Sequence, residues 1–556
     1  MPCPARRGDP GRRSPGFSQR ETAACPRSWG NGRRAVPDRL PAGLRPQGYC
    51  GIVQMGPQAD APCLGRGHLL PMNALIEMCG VTKRHEGAGR PAVDGASLTA
   101  RRTSEGDQMR DSIHPARLTR SRRAHLLAVA VLLSVVLAAG CGGGPGSTAT
   151  TVPVGSAPSA AASGCLLHPG SCYAPHLFRV AYGSQPLLDK EIDGRGETVT
   201  VLAPAPSPSA PASPPPGSNQ PPAATDIRQD LAAFDSMFRL PAARIQVVTT
   251  LAGAAAPWAA SGEEVGDFEK LHTVAPAATL RVVLMPSNVL DSAANATADM
   301  LAGLRLAVSG TDVASISWSL GEHYFTTAQV AEMHSILLGA AAHHVTVIAS
   351  SGDNGALSDD DFGKPVKEVS LPASDPLVLA VGGTTLTANP STGTYIGETA
   401  WNQGSEASGG GFSHLYARPA YQGGVPGIST MRGVPDVAGD AGEPGGTPIV
   451  AAAGSKTWIL AASGTSGSAP LWGGLIALAD QYAHHDLGFV NPLIYRIARS
   501  SSYSQPFHDV TTGNNGVTAG QAIVTGYQAG PGWDPVTGWG SPNAQVLIPL
   551  LTRSQT

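Results

Sequence analysis

A serine set among small residues is the first place to look for chemistry. Ser463-Gly464-Thr465-Ser466-Gly467-Ser468-Ala469-Pro470 follows an apolar run, 458–462, and precedes 471–479, which is apolar at helical spacing. The spacing predicts a buried strand or loop that turns into a buried helix, with Pro470 in the first turn, where its missing N–H costs nothing. Ser466 then sits at a helix N-terminus, whose free N–H groups suit an anion or a developing oxyanion. That is a place for a nucleophile; taken alone, the stretch reads equally as a Gly/Ser loop that only turns the chain.

A serine nucleophile needs a base. The subtilisin-like form of the Ser/His/Asp arrangement would use an Asp after the first strand and a His in a His-Gly context, but strand 198–202 runs into Ala203-Pro204 and no His-Gly occurs in the chain. Carboxylates offer another route. In Ser261-Gly262-Glu263-Glu264-Val265-Gly266-Asp267-Phe268-Glu269, Ser261 and Glu264 form a capping-box pattern. Val265, Phe268 and Leu271 face a core, and Glu263 and Asp267 stand at i and i+4 on one face. Buried together they share a proton and one pKa rises, as a general base near working pH requires; exposed, they are two solvated acids. Asp353, in Ser350-Ser351-Gly352-Asp353-Asn354-Gly355, follows strand 345–349 and lies at a strand's carboxyl end, where α/β sites form; its alternative is an Asp-Asn-Gly turn. Near the C-terminus, Asp509-Val510 and Gly530-Pro531-Gly532-Trp533-Asp534 supply carboxylates and loop carbonyls, the hard oxygen ligands of Ca²⁺. Residues 530, 532 and 534 alternate and in an extended loop point one way; without an ion this is a Gly-rich turn with two surface acids.

These residues need a scaffold. Short apolar strands at 198–202, 245–248, 280–284, 313–317, 345–349 and 377–381 alternate with helical patterns at 263–274, 292–307 and 327–342, and helical spacing also runs from Ile227 to Leu240. That alternation predicts an α/β fold with a doubly wound, mostly parallel sheet flanked by helices. A Pro/Ser/Ala-rich insert, 204–224, interrupts it after the first strand as exposed polyproline II.

The 556 residues carry a net charge of −3, so no basic footprint points to nucleic acid, and all 8 cysteines lie at or before Cys172. Residues 1–108, rich in Arg, Gly and Pro, show no sustained periodicity. After Met109, Arg110 and four further arginines precede the uncharged run 126–139, which ends in Gly140-Cys141. This is the anatomy of an export signal, 109–140, too short to span a bilayer. Leu137-Ala138-Ala139-Gly140-Cys141 resembles the bacterial lipobox, with Ala138 where that pattern favours a larger aliphatic; the resemblance implies lipidation at Cys141 and a chain anchored to the outer face of the cell membrane, or secreted. Residues 141–172 form a flexible tether in which Cys165 and Cys172 can pair as a disulfide in an oxidising compartment. Met109 is the expected start, with 1–108 as mis-called upstream sequence.

Taken together, the four elements resemble the sedolisins, the serine-carboxyl peptidases. Ser463 to Pro470 matches their Ser-Gly-Thr-Ser-x-Ser-x-Pro segment, Glu263 and Asp267 their helical pair, Ser351-Gly352-Asp353 the segment bearing the oxyanion Asp, and Asp509, Val510, Gly530, Gly532 and Asp534 their calcium site. Val381-Gly382-Gly383-Thr384-Thr385, Trp401, Gly409 to Ser413 and Val434 to Val437 agree in order, so the likeness covers 173–553. It implies a subtilisin-like fold and peptide-bond hydrolysis at acidic pH. Ser466 would be the nucleophile, Glu263 the base, Asp267 its partner and Asp353 the oxyanion donor. It further implies one Ca²⁺ ion, a peptide or protein substrate, and a monomer. Sedolisins usually carry a large prosegment, whereas 32 residues separate Cys141 from Tyr173. The rival expectation is a surface lipoprotein that keeps the fold as a binding module or pseudoenzyme.

Overall fold

A computed structural model describes residues 150–151, 172–206, 221–249, 258–286, 291–358, 366–519 and 522–553. The expected upstream extension, signal, Cys141, Cys165 and the centre of the Pro-rich insert lie outside the described residues.

Helix α1 (Pro175–Ala181) leads to strand β1 (Thr198–Pro204). Next come α2 (Ile227–Phe238), β2 (Arg244–Thr249), α3 (Gly262–Val274), β3 (Thr279–Met285), α4 (Ala293–Ala307), β4 (Val313–Ile316), α5 (Thr327–Ala342) and β5 (Thr346–Ser350). The second half holds β6 (Leu379–Ala388), β7 (Tyr395–Ala400), β8 (Val437–Asp440), the hairpin β9 (Ile449–Ala453) and β10 (Lys456–Leu460), then α6 (Ser468–Ala483) and α7 (Ala544–Arg553).

The main sheet has eight strands in the order β7-β6-β5-β4-β1-β3-β2, with β8 beside β6. All pairings are parallel except β6 with β7. β1 is central because its branched run is apolar on both faces: Val199 and Val201 join one core with α3 and α6, while Leu202 joins a second with α4 and α5. A strand covered on both sides reads as a continuous apolar run rather than an alternation. β3 and β4 flank β1, so the strand order reverses there, and such a switch point opens a crevice at the strands' carboxyl ends.

Ser261 and Glu264 close the predicted capping box on α3, and Thr326 and Gln329 make a second on α5. α6 is buried along most of its length because two glycines let it press inward: a Cβ on Gly474 would lie 2.7 Å from Val274 of α3, and one on Gly473 would meet Leu271 at 3.2 Å.

Two sequence expectations change. The strand read at 377–381 starts at Leu379 and runs on to Ala388, because it serves β5 with its first residues and β7 and β8 with the rest. The Pro-rich insert does not begin at 204: Pro204 still pairs in register with Met285, and the Ala205 N–H donates to the Met285 carbonyl at 2.9 Å.

Candidate active site

The nucleophile segment is delivered by the β9–β10 hairpin, the strand predicted ahead of it. Gly464 turns the chain at φ +149°, a conformation open to glycine. Thr465–Gly467 form one 3₁₀ turn and α6 starts at Ser468. The Ser468 hydroxyl donates to the Gly439 carbonyl at 2.9 Å, fixing the helix start against the end of β8.

Ser466 Oγ lies 3.0 Å from Glu263 Oε1, to which it donates, and 3.2 Å from the carbonyl oxygen of Ser317, just past β4. Glu263 is the second residue of α3 and half-buried, whereas Asp267, one turn further in, is 3% exposed. Burial pushes the Asp267 carboxyl well above its ordinary range, and the neighbouring Glu263 charge pushes it the same way. A hydrogen bond with the Ser317 side chain and the Lys270 charge oppose this more weakly. The two acids are therefore not solvated. The buried one holds the proton and the half-buried one faces the serine.

Asp353 follows β5 and is tied to the nucleophile turn: its Oδ1 accepts from the Thr465 N–H and from the Thr465 hydroxyl, both at 2.7 Å. The Thr465 hydroxyl in turn accepts from the Gly352 N–H at 3.1 Å. A Cβ on Gly464 would stand 2.9 Å from Asp353 Oδ2, so only glycine lets this carboxyl lie against the turn. The four residues expected to act together, Glu263, Asp267, Asp353 and Ser466, thus converge where β4, β5, α3 and α6 meet.

Sequence reasoning missed three supports. Ser317 touches both Ser466 and Asp267; its place at a strand's carboxyl end was the available signal. Thr465 carries Asp353, and its signal lay in the motif itself. Lys270 is 3.9 Å from Asp440 and covers the Phe178 ring at 4.1 Å, although α3 periodicity puts it outside the apolar stripe. Burial draws Lys270 down to about 8 and Asp440 up to about 7.

The C-terminal loops bring the expected cation ligands together. Both Asp509 oxygens accept from the Gly532 N–H at 3.1 Å, and Asp534 Oδ2 accepts from the Gly530 N–H at 3.2 Å. The Val510 carbonyl accepts from the Thr537 hydroxyl, which also donates to Asp534. The segment is not extended as the alternation implied: Gly532 at φ +76° curls it, so Asp534 reaches back to Gly530. Burial pushes Asp534 up to about 6, and its named partners are neutral N–H and O–H donors. A buried carboxylate beside a second one and loop carbonyls fits a hard cation. Cys172 is disulfide-bonded and buried.

Comparison with known proteins agrees with this geometry. Residues 248–492 match the subtilase family, Peptidase_S8. Residues 248–492 thus resemble a subtilase domain, and the fold around them has a mostly parallel sheet, a serine at the head of a buried helix and carboxylates at the strand ends. The chain is also similar to known proteins over part of its length. It is 37% identical over 311 residues to kumamolisin of Bacillus sp. (strain MN-32) and 38% identical over 215 residues to sedolisin of Pseudomonas sp. (strain 101), alignments covering 53% and 37% of this chain. With tripeptidyl-peptidase 1 of Homo sapiens it shares 31% over 258 residues, 43% of this chain. The chain spans 52%, 35% and 43% of the lengths of these relatives. The solved structure of Pseudomonas sedolisin, a serine-carboxyl proteinase complexed with two molecules of pseudo-iodotyrostatin, matches with a TM-score of 0.56 and 28% identity over 68% of this chain and 97% of that one.

Proposed function

We propose that this chain is an extracytoplasmic serine-carboxyl peptidase that hydrolyses peptide bonds at acidic pH. The observation that carries the reading is the 3.0 Å hydrogen bond from Ser466 Oγ to Glu263, with Asp267 buried one turn behind it and Asp353 fastened to the same turn.

Ser466 Oγ attacks the carbonyl carbon of the scissile bond while Glu263 takes the hydroxyl proton. Asp267 keeps its own proton because it is buried, which leaves the charge on Glu263. Asp353, in its neutral form, donates to the tetrahedral oxyanion together with the Ser466 N–H. Glu263 returns the proton to the amine, the C–N bond breaks and an acyl-serine remains. Water then attacks the acyl carbon, giving up a proton to Glu263, and the acid product leaves as Ser466 recovers its proton. A carboxyl that must donate works only below its own pKa, so the scheme favours acid.

Asp509 and Asp534, with the carbonyls of Val510, Gly530 and Gly532, would hold one Ca²⁺, whose charge would brace these loops. The substrate is a peptide or protein. The lipobox supports a lipid anchor at Cys141 on the outer face of the membrane, and the Cys172 disulfide supports an oxidising compartment with Cys165 as partner.

Casein digestion from pH 3 to pH 7, with protein beginning at Cys141, tests the reading. We expect activity on the acid side that Ser466→Ala abolishes. Equal digestion by Ser466→Ala refutes the mechanism, and a folded parent inert throughout favours a binding module on the same fold.

A further inference from the structure

The opposite end of the sheet holds a second constellation that the peptidase reading does not use. Glu197 immediately precedes β1 and Asp312 immediately precedes β4, so both lie at the amino ends of central strands. Asp480 is in the last turn of α6, and Asp486 follows the loop that leaves it. Glu197, Asp480 and Asp486 each bring a carboxylate oxygen within 4.8 Å of the other two. Asp312 completes the group while accepting from the Thr198 N–H at 2.7 Å.

Close acids alone are common. What singles this group out is Asp480, whose side chain is 1% exposed. Its Oδ1 accepts from the Leu487 N–H at 2.8 Å, and its Oδ2 is buried with no hydrogen-bond partner. An unsatisfied buried carboxylate oxygen is costly and calls for a counter-charge. Its carboxylate neighbours among the described residues, Glu197 and Asp486, add negative charge rather than cancel it. The site also lies at the C-terminal end of α6, where the partial negative charge of the helix favours a cation.

We propose that Glu197, Asp480 and Asp486, with Asp312 behind them, bind a Ca²⁺ ion at the C-terminal end of the helix that begins beside Ser466. Carboxylate oxygens are the ligands a hard cation selects. Glu197 and Asp486 are only half-buried, so water has access to complete the six to eight oxygens Ca²⁺ takes, which the stricter octahedron of Mg²⁺ suits less. The bound ion would tie α6 to β1 and β4 at one end, as Ser468 ties it to β8 at the other.

The test is calcium titration of the full chain carrying Ser466→Ala, stripped with EDTA and followed by calorimetry and thermal unfolding. We expect two equivalents of Ca²⁺, with Asp480→Asn and Asp534→Asn each losing a different one. The Asp480 site should bind in the range of roughly 10⁻⁴–10⁻³ M typical of open extracellular sites. In EDTA, Asp480→Asn should melt no lower than its parent, because the amide keeps an acceptor for Leu487 and adds donors toward the neighbouring acids. Should that variant fail to fold, Glu197→Gln at the solvent edge should weaken the same equivalent at least tenfold. The proposal is overturned if Asp480→Asn, or Glu197→Gln in its place, binds as much Ca²⁺ as its parent with the same affinity. It is likewise overturned if the site takes Mg²⁺ in preference.

Discussion

Glu263, the proposed base, is the residue whose replacement tests the site most directly. In Glu263→Gln the side chain keeps its shape and an acceptor oxygen, so the serine turn has no reason to move. The Ser466 hydroxyl lies near two acceptors, Glu263 at 3.0 Å and the Ser317 carbonyl at 3.2 Å. The carbonyl is far too weak a base to take the proton, so the variant loses general-base assistance almost entirely. Such assistance is worth roughly 10²–10⁴ in rate, or about 3 to 5 kcal/mol of barrier at 1.36 kcal/mol per decade. Stability should not fall, because the amide keeps an acceptor for the Ser466 hydroxyl and leaves no buried charge unpaired. The assay is kcat and KM on a fluorogenic peptide from pH 3 to pH 7, paired with melting curves of both proteins. We expect a loss of at least 100-fold in kcat with little change in KM. A Glu263→Gln protein within tenfold of the parent across that range would refute the assignment of Glu263 as base.

Three other outcomes follow from the same coordinates. Gly464→Ala should lower kcat by tenfold or more with the protein still folded, since its Cβ would press on Asp353 at 2.9 Å in a backbone conformation L-residues rarely adopt; unchanged kinetics would show that Asp353 is not held by this turn. Lys270→Met should lower the urea midpoint at neutral pH by removing the buried counter-charge of Asp440, and an unchanged midpoint would mean that Asp440 is already neutral. Asp230, whose oxygens accept from the Ala452 N–H and the Thr225 hydroxyl, is raised by burial from 3.8 to about 7. Its folded form holds the proton more tightly than the unfolded form, so its stabilisation is complete below about pH 4 and is lost as pH climbs through about 7. Asp230→Asn should therefore flatten the decline in stability between those limits by up to a few kcal/mol, and an unchanged pH profile would count against the shift.

How much of this was legible in the sequence depends on what kind of contact each residue makes. The order of the central strands and the helices was readable because β1, β3, β4 and β5 are buried along nearly their whole length and the helices carry their own periodicity and caps, as Ser261 and Glu264 do for α3. The pairing of Glu263 with Asp267 was readable because helix geometry puts i and i+4 together. The burial of Asp267, Glu269 and Lys270 was not, because it comes from outside the helix. The β9–β10 hairpin, nearly two hundred residues on, covers α3 beyond its apolar stripe, and its Val450 N–H donates to Glu269 at 2.9 Å. Helical periodicity describes one face against one core, so a helix covered on a second side by a later hairpin looks half solvated in sequence. The curl at Gly532 was hidden for a related reason: alternation in a glycine-rich loop does not specify φ, and a positive value there reversed the expected direction of Asp534.

The covering of α3 bears on the pH at which the site works. Asp267 and Glu269 on α3 and Asp230 on α2 are all raised, with burial as the first cause in each case. One physical effect therefore does two things. It keeps the proton on Asp267, so that Glu263 faces Ser466 as the base, and it makes the surrounding fold cheaper to hold together as pH falls. A Ser/His pair would lose its base on acidification as the imidazole charged. A buried carboxyl such as Asp267 gains stability in the same direction that neutralises an oxyanion-donating acid. On the proposed mechanism, acid operation and the raised carboxyls of α2 and α3 share burial as their origin, and a change that exposed α3 would weaken both at once.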